Sequence, residues 1–164
     1  MSLWISTLFG IGYLRPGPGT WGSAVAVLLA WLLHGLGSFP LLALATLLAF
    51  LGGWWAVADA TRGASDHDPG EIVVDEVVGQ WIGLWPLSAG LWWAGFEGWT
   101  FPWPGWVGAF LLFRLFDIWK PGPVGWADRR GDVFGTMMDD VIAGFLAAIV
   151  VAAAAYIAHA VVMA

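Results

Sequence analysis

The chain has 164 residues, of which 60% are hydrophobic and 11% charged, with a formal net charge of −6 and a mean hydropathy of +0.78. So little polar surface cannot cover a soluble domain of this size, which leaves a bilayer as the solvent for much of it. The absence of cysteine excludes disulfides, thiol nucleophiles and thiolate metal sites, and the net charge of −6 argues against a nucleic-acid stacking platform, which needs basic residues interleaved with its aromatics.

The start, Met1-Ser2-Leu3-Trp4-Ile5, lacks a basic n-region, and no small-residue cleavage site ends an apolar run before Pro16, so no secretory signal peptide is expected. Five apolar segments follow, at roughly 21–37, 40–58, 77–96, 103–119 and 141–163, against the ~20 residues a spanning helix needs. Ser38-Phe39-Pro40 suits the tight turn of a helical hairpin with antiparallel arms, and Pro86 marks a kink in the third segment. The expected fold is all-α: a single domain over 1–164, built as a polytopic integral membrane bundle of about five hydrophobic helices.

Apart from Glu97, the charged residues fall at Arg15, from Asp59 to Glu76 and from Arg114 to Asp140. Arg15, Arg62, Arg114, Lys120, Arg129 and Arg130 all belong to connections on one side, whereas Ser38 to Pro40 and Glu97 to Pro102 carry no Lys or Arg. The positive-inside rule makes the charged side cytoplasmic. An acid or base at mid-bilayer would cost ~2.5–3.5 kcal/mol, so charge depth sets helix register. Most of the fourteen tryptophans fall near segment ends, as an interfacial belt requires, and His34 and His159 read as incidental polar residues on the outer side.

Four stretches on the charged side carry candidate chemistry. Gly17-Pro18-Gly19-Thr20-Trp21-Gly22-Ser23 follows Arg15 and opens the first long helix. Glycines and a helix N-terminus offer backbone donors to an anion, Thr20 and Ser23 add hydroxyls, and the same pattern also serves as an ordinary capped helix start. Asp68-Pro69-Gly70-Glu71 leads to the adjacent acids Asp75 and Glu76 at the mouth of segment three, favoured by the helix dipole. Arg114, Asp117 and Lys120 are spaced by three and share one helix stripe. Asp139 and Asp140 form a second acid pair where segment five begins, ahead of the small residues Ala143 and Gly144.

Asp68, Asp75, Glu76, Asp117, Asp139 and Asp140 face chiefly Arg15, Arg114 and Lys120, and that deficit of positive charge points to a divalent metal. Hard oxygen ligands without cysteine favour Mg²⁺, with Mn²⁺ or Ca²⁺ as substitutes, and Mg²⁺ suits phosphoryl chemistry.

Read together, these motifs resemble the phosphatidylglycerophosphatase A family. The matching pieces are Gly10-Ile11-Gly12 with Pro18-Gly19-Thr20-Trp21-Gly22-Ser23, then Asp68 through Gln80, then Phe113 through Pro121 with Pro123, and finally Gly135 with Met138-Asp139-Asp140-Val141 and Ala143-Gly144. They occur in the family's order and cover most of the chain between residues 10 and 145; Gly17 replaces an alanine common in the family. The resemblance implies a Mg²⁺-dependent phosphoric monoester hydrolase of the bacterial inner membrane. Its expected reaction converts phosphatidylglycerophosphate to phosphatidylglycerol in phospholipid biosynthesis, with a phospholipid within the bilayer as its partner.

The expected metal ligands are Asp75, Glu76, Asp139 and Asp140, with Asp68 or Asp117 completing the catalytic acids. Arg15, Thr20, Ser23, Arg114 and Lys120 would hold the substrate phosphate. Attack by an activated water competes with a covalent aspartyl-phosphate on Asp68 or Asp117. From a different class, a cation transporter or channel would use inner-side acids as an ion site, but no internal repeat supports it. The Pro-Ser-Gly-His segment of histidine-nucleophile lipid phosphatases and the Asp-Gly…Ala-Arg signature of alcohol phosphatidyltransferases are both absent.

Overall fold

A computed structural model describes residues 1–63 and 69–163. Among them are six α-helices: α1 (Ser2–Ser6), α2 (Pro18–Ala60), α3 (Val74–Trp93), α4 (Trp103–Trp119), α5 (Pro123–Asp128) and α6 (Val133–Met163). A single straight helix of 43 residues would run about 65 Å, twice the bilayer core. Instead α2 breaks at Gly37 and Ser38, where Ser38 takes φ 55° and ψ −157° just ahead of Pro40. The hairpin expected from Ser38-Phe39-Pro40 forms there.

Contacts fix the direction of each arm. The first arm of α2 runs parallel to α3: Gly22 lies against Val73, Ala26 accepts a hydrogen bond from Trp81 Nε1 (2.8 Å), and His34 Nδ1 lies 2.7 Å from Ser88 Oγ. Its second arm runs antiparallel to α3, with Thr46 against Trp85 and Gly53 against Val74. By the same test α4 descends beside α3, Gly105 meeting Leu87 and Phe113 meeting Gly79, while α6 ascends from Asp140 at Gly79 to Ala147 at Gly83. The central helix is α3, which touches α2, α4 and α6. It runs through Pro86 as one continuous helix, since neighbouring helices can compensate the freed carbonyl.

The starts of α2, α3 and α6 and the end of α4 therefore meet at one end of the bundle. By length and composition, Pro18–Ala60 and Val133–Ala160 are apolar enough to cross a membrane, with mean hydropathies of 2.0 and 2.5. Large apolar side chains such as Leu28, Leu36, Leu48, Leu111 and Ile149 are exposed on the outer faces of α2, α4 and α6.

Three expectations are revised. The last helix begins at Val133 rather than 141, because Asp132 Oδ1 accepts the Gly135 N–H (2.7 Å) as an N-cap worth about 1 kcal/mol, so the Asp139-Asp140 pair sits in its second turn. Trp81 and Trp106 pack in the interior rather than at an interface, Trp106 stacking on Phe101 at 5.4 Å. His34 is fully buried with Ser88 as its partner, so it ties α2 to α3 and is not an incidental residue.

A close backbone approach joins α3 to α6. A Cβ at Gly79 would stand 2.5 Å from the Asp140 carbonyl oxygen, and one at Gly144 would overlap the Gly79 carbonyl. Gly144→Ala is expected to lower stability by about 1–3 kcal/mol, read as a lower unfolding midpoint in detergent. Gly90→Ala, where a Cβ meets nothing within 4 Å, should leave the midpoint unchanged or raise it.

Candidate functional site

Four helices deliver charge to the shared end of the bundle. The acids Asp75 and Glu76 occupy the first turn of α3, where unpaired backbone N–H groups favour negative charge. Asp75 Oδ1 accepts the Glu76 backbone N–H at 3.0 Å, which orients the Asp75 carboxylate against the helix start. Asp140 projects from α6, and carboxylate oxygens of Asp75, Glu76 and Asp140 all lie within 4.8 Å of one another. Asp75 and Asp140 are only 5% and 3% exposed, so this is a buried cluster rather than a solvated acidic face.

Arg114 and Asp117 stand beside it on the last turns of α4. Arg114 Nη1 lies 2.5 Å from Asp117 Oδ2, and both side chains are largely buried. The Glu76 charge is attracted by Arg114 and repelled by Asp140 and Asp117. Above them sits the start of α2. Its N-cap is Gly17, with φ 71° and no side-chain cap; Pro18 has no N–H and the Thr20 and Trp21 N–H groups donate to the Gly17 carbonyl (3.0 and 3.3 Å), which leaves the Gly19 N–H as the donor this helix start can offer. A Cβ on Gly19 would overlap Glu76 Oε1 and stand 2.9 Å from Arg114 Nη1. Only glycine lets this helix start rest directly on the acids and the arginine.

The expected Arg114-Asp117-Lys120 stripe does not hold as a unit. Pro121 ends α4 at Trp119, and Lys120 turns into a left-handed conformation, φ 50°, off the helix face. Its Nζ pairs with Asp128 and lies 3.0 Å from Asp139 Oδ2. Burial works against the lysine's charge, but Asp128 and Asp139 outweigh it and lift its pKa above the ordinary lysine range. Asp139 is thus turned to Lys120, one residue from the acid cluster, and its Oδ1 accepts the Asp140 N–H.

Of the remaining expected site residues, Ser23 is buried and donates back to the Gly19 carbonyl at 2.7 Å, whereas Thr20 and Arg15 are exposed at and before the start of α2. Asp68 and its neighbour His67 lie outside the described residues. Asp128 was not singled out from sequence: it reaches Lys120 through the turn at Gly122, and no local pattern marks that pairing.

The donor set fits a hard divalent cation. Three carboxylates converge, the buried Glu76 Oε2 and Asp140 Oδ1 have no hydrogen-bond partner, and both nearby cations are already engaged by Asp117, Asp128 and Asp139.

The model of the family described as phosphatidylglycerophosphatase A matches residues 4–155. The chain belongs to the phosphatidylglycerophosphatase A family. It is 38% identical over 149 residues to the phosphatidylglycerophosphatase A of Haemophilus influenzae, covering 90% of this chain and 85% of that one. It is 34% identical over 142 residues to that of Escherichia coli, covering 85% and 75%. A Bacteroides thetaiotaomicron protein provisionally named a phosphatidylinositol-3-phosphatase is 35% identical over 158 residues, covering 93% and 92%. No solved structure matches the chain. Membership makes the chain a phosphatidylglycerophosphatase, a phosphomonoesterase.

Two substitutions probe this geometry. Gly19→Ala is expected to cut phosphatase turnover at least about tenfold by pushing Glu76 and Arg114 out of place, read as phosphate release per folded enzyme. Lys120→Met strands Asp139 without its cation and should cost about 1–3 kcal/mol, less than a fully buried pair because the lysine is partly exposed. A raised lysine pKa means that the wild-type advantage is complete below the unfolded value of about 10.4 and fades as pH climbs above it. The deficit, measured as an unfolding midpoint, should therefore hold from about pH 7 to 10 and shrink beyond.

Proposed function

We propose that this phosphatidylglycerophosphatase is a multi-pass protein of the bacterial inner membrane with its site at the cytoplasmic face, and that it uses Mg²⁺ to hydrolyse the terminal phosphate of phosphatidylglycerophosphate. The observation that carries the reading is the convergence of Asp75, Glu76 and Asp140 beneath an open helix start. Supporting the topology, apolar side chains face outward on α2, α4 and α6, a pattern that soluble monomers rarely expose over so wide an area. All six basic residues fall in segments at or leading to the acid end, which supports a cytoplasmic site.

Asp75, Glu76 and Asp140 would hold the ion, while Asp139, turned to Lys120, would steady Asp140 by accepting its backbone N–H. Bound there, Mg²⁺ supplies Lewis-acid polarisation of the phosphoryl oxygens and a lowered pKa for a coordinated water. The chain's own groups do the rest. The Gly19 N–H and the guanidinium of Arg114, which lie together beside Glu76, would bind a phosphate there, with the exposed Arg15 and Thr20 at and before the same helix start. Arg114, held by Asp117, meets the charge that spreads over the equatorial oxygens in a loose transition state. Asp117, beside Asp140 and paired with Arg114, would take a proton from the attacking water as its oxygen joins phosphorus and return it to the glycerol oxygen as the ester P–O bond breaks. Lys120 acts at a distance, holding Asp139.

The lipid geometry agrees. An apolar cavity of about 460 Å³ lies between the second arm of α2, α3 and α6, lined by Leu47, Phe50, Val78, Trp85 and Val141, which leaves room for an acyl chain beside the helices that carry the acids. Only the headgroup then has to reach the charged end.

Phosphate release from synthetic phosphatidylglycerophosphate tests the reading. EDTA should abolish it and Mg²⁺ restore it, and Asp75→Asn, Glu76→Gln and Asp140→Asn should each lower it about 100-fold or more. Rates within a few-fold of wild type in all three variants would remove the site.

A further inference from the structure

Gln80 is wholly buried in α3, yet neither its Oε1 nor its Nε2 makes a hydrogen bond. Leaving a buried amide unsatisfied is unfavourable, and the flanking Val77, Val78 and Trp81 show that this part of the helix is otherwise apolar. An apolar residue would stabilise the resting fold better, so the carboxamide needs another reason to be there. Gln80 stands four residues after Glu76, on the same helix face. Helical side chains lean towards the N-terminus, which carries the carboxamide back towards the Glu76 carboxylate. Glu76 Oε2 and Arg114 Nε are also buried without a hydrogen bond, as is Asp140 Oδ1.

We propose that Gln80 is a positioning residue of the metal site, its Nε2 donating to the Glu76 carboxylate and fixing the orientation in which Glu76 meets a divalent cation. The inference rests on the metal reading of Asp75, Glu76 and Asp140. A carboxamide is suited to the task because it can donate a hydrogen bond without adding another negative charge to the cluster, and it does not titrate. Its Oε1 remains free to accept from a second donor in the site. Partners of this kind hold metal-ligating carboxylates in one orientation, and their loss typically weakens metal binding.

The test is direct Mn²⁺ binding to purified full-length protein in detergent, followed by the electron paramagnetic resonance signal of free Mn²⁺. Gln80→Met should weaken Mn²⁺ affinity about 10- to 100-fold while the unfolding midpoint of the metal-free protein stays equal to wild type or rises. The same substitution added to Glu76→Gln should cause no further loss, because the residue it acts through is already changed. Gln80→Leu is carried in parallel, so that a packing fault peculiar to methionine does not decide the result. Affinity within twofold of wild type in both variants overturns the proposal, as does a weakening that persists in full on the Glu76→Gln background. Asp75→Asn separates the two levels. If it binds Mn²⁺ like wild type, the metal reading itself fails; if it weakens binding while Gln80→Met does not, only the role of Gln80 falls.

Discussion

Three carboxylates brought within 4.8 Å of one another in a buried position repel by roughly 3–4 kcal/mol per pair at an effective dielectric of 20. The nearest fixed cations relieve this only in part, because Arg114, though it attracts Glu76, is paired with Asp117, and Lys120 is engaged by Asp139 and Asp128. A divalent ion bound there would do so, and the helix starts help: α3 puts Asp75 and Glu76 at its own N-terminal dipole, while the start of α2 lies against Glu76. Apart from Glu97, the acids and bases gather at this end of the chain's apolar segments.

Close backbone approach is what makes the convergence possible. Gly19 admits the start of α2 to the acids, and the Gly79 to Gly144 contact brings α3 and α6 near enough for Asp140 to meet Asp75 and Glu76. Where helices associate without a hydrophobic driving force, small residues and a few interhelical hydrogen bonds such as Trp81 to Ala26 and His34 to Ser88 hold the arms in register. The chemistry is thus set by three glycines as much as by the acids. A shift of one residue along α6 would rotate Asp140 away from the site and replace it with a side chain facing Lys120 or the apolar cavity.

Much of this was legible because the signals are local. The Ser38-Phe39-Pro40 break, the apolar segments and the two acid pairs each follow from composition over a few residues, and the break falls where expected. The ordered motifs also sufficed to suggest the family. What escaped was tertiary or depended on a cap. Asp132 extends α6 upstream of its apolar run, so the helix start could not be read from hydropathy alone. Lys120 leaves its helix at a left-handed residue and finds Asp128 across a turn. Trp81 and Trp106 look like their interfacial counterparts until partners across the bundle are known, and Gln80 looks like an ordinary polar residue until its burial is seen.

The most direct measurement is anomalous diffraction from crystals of the protein grown with Mn²⁺ in place of Mg²⁺. A peak bounded by carboxylate oxygens of Asp75, Glu76 and Asp140, and lost on chelation, is the expected result. Ordered acids at that end with no peak among them, or a peak held by other residues, would contradict it.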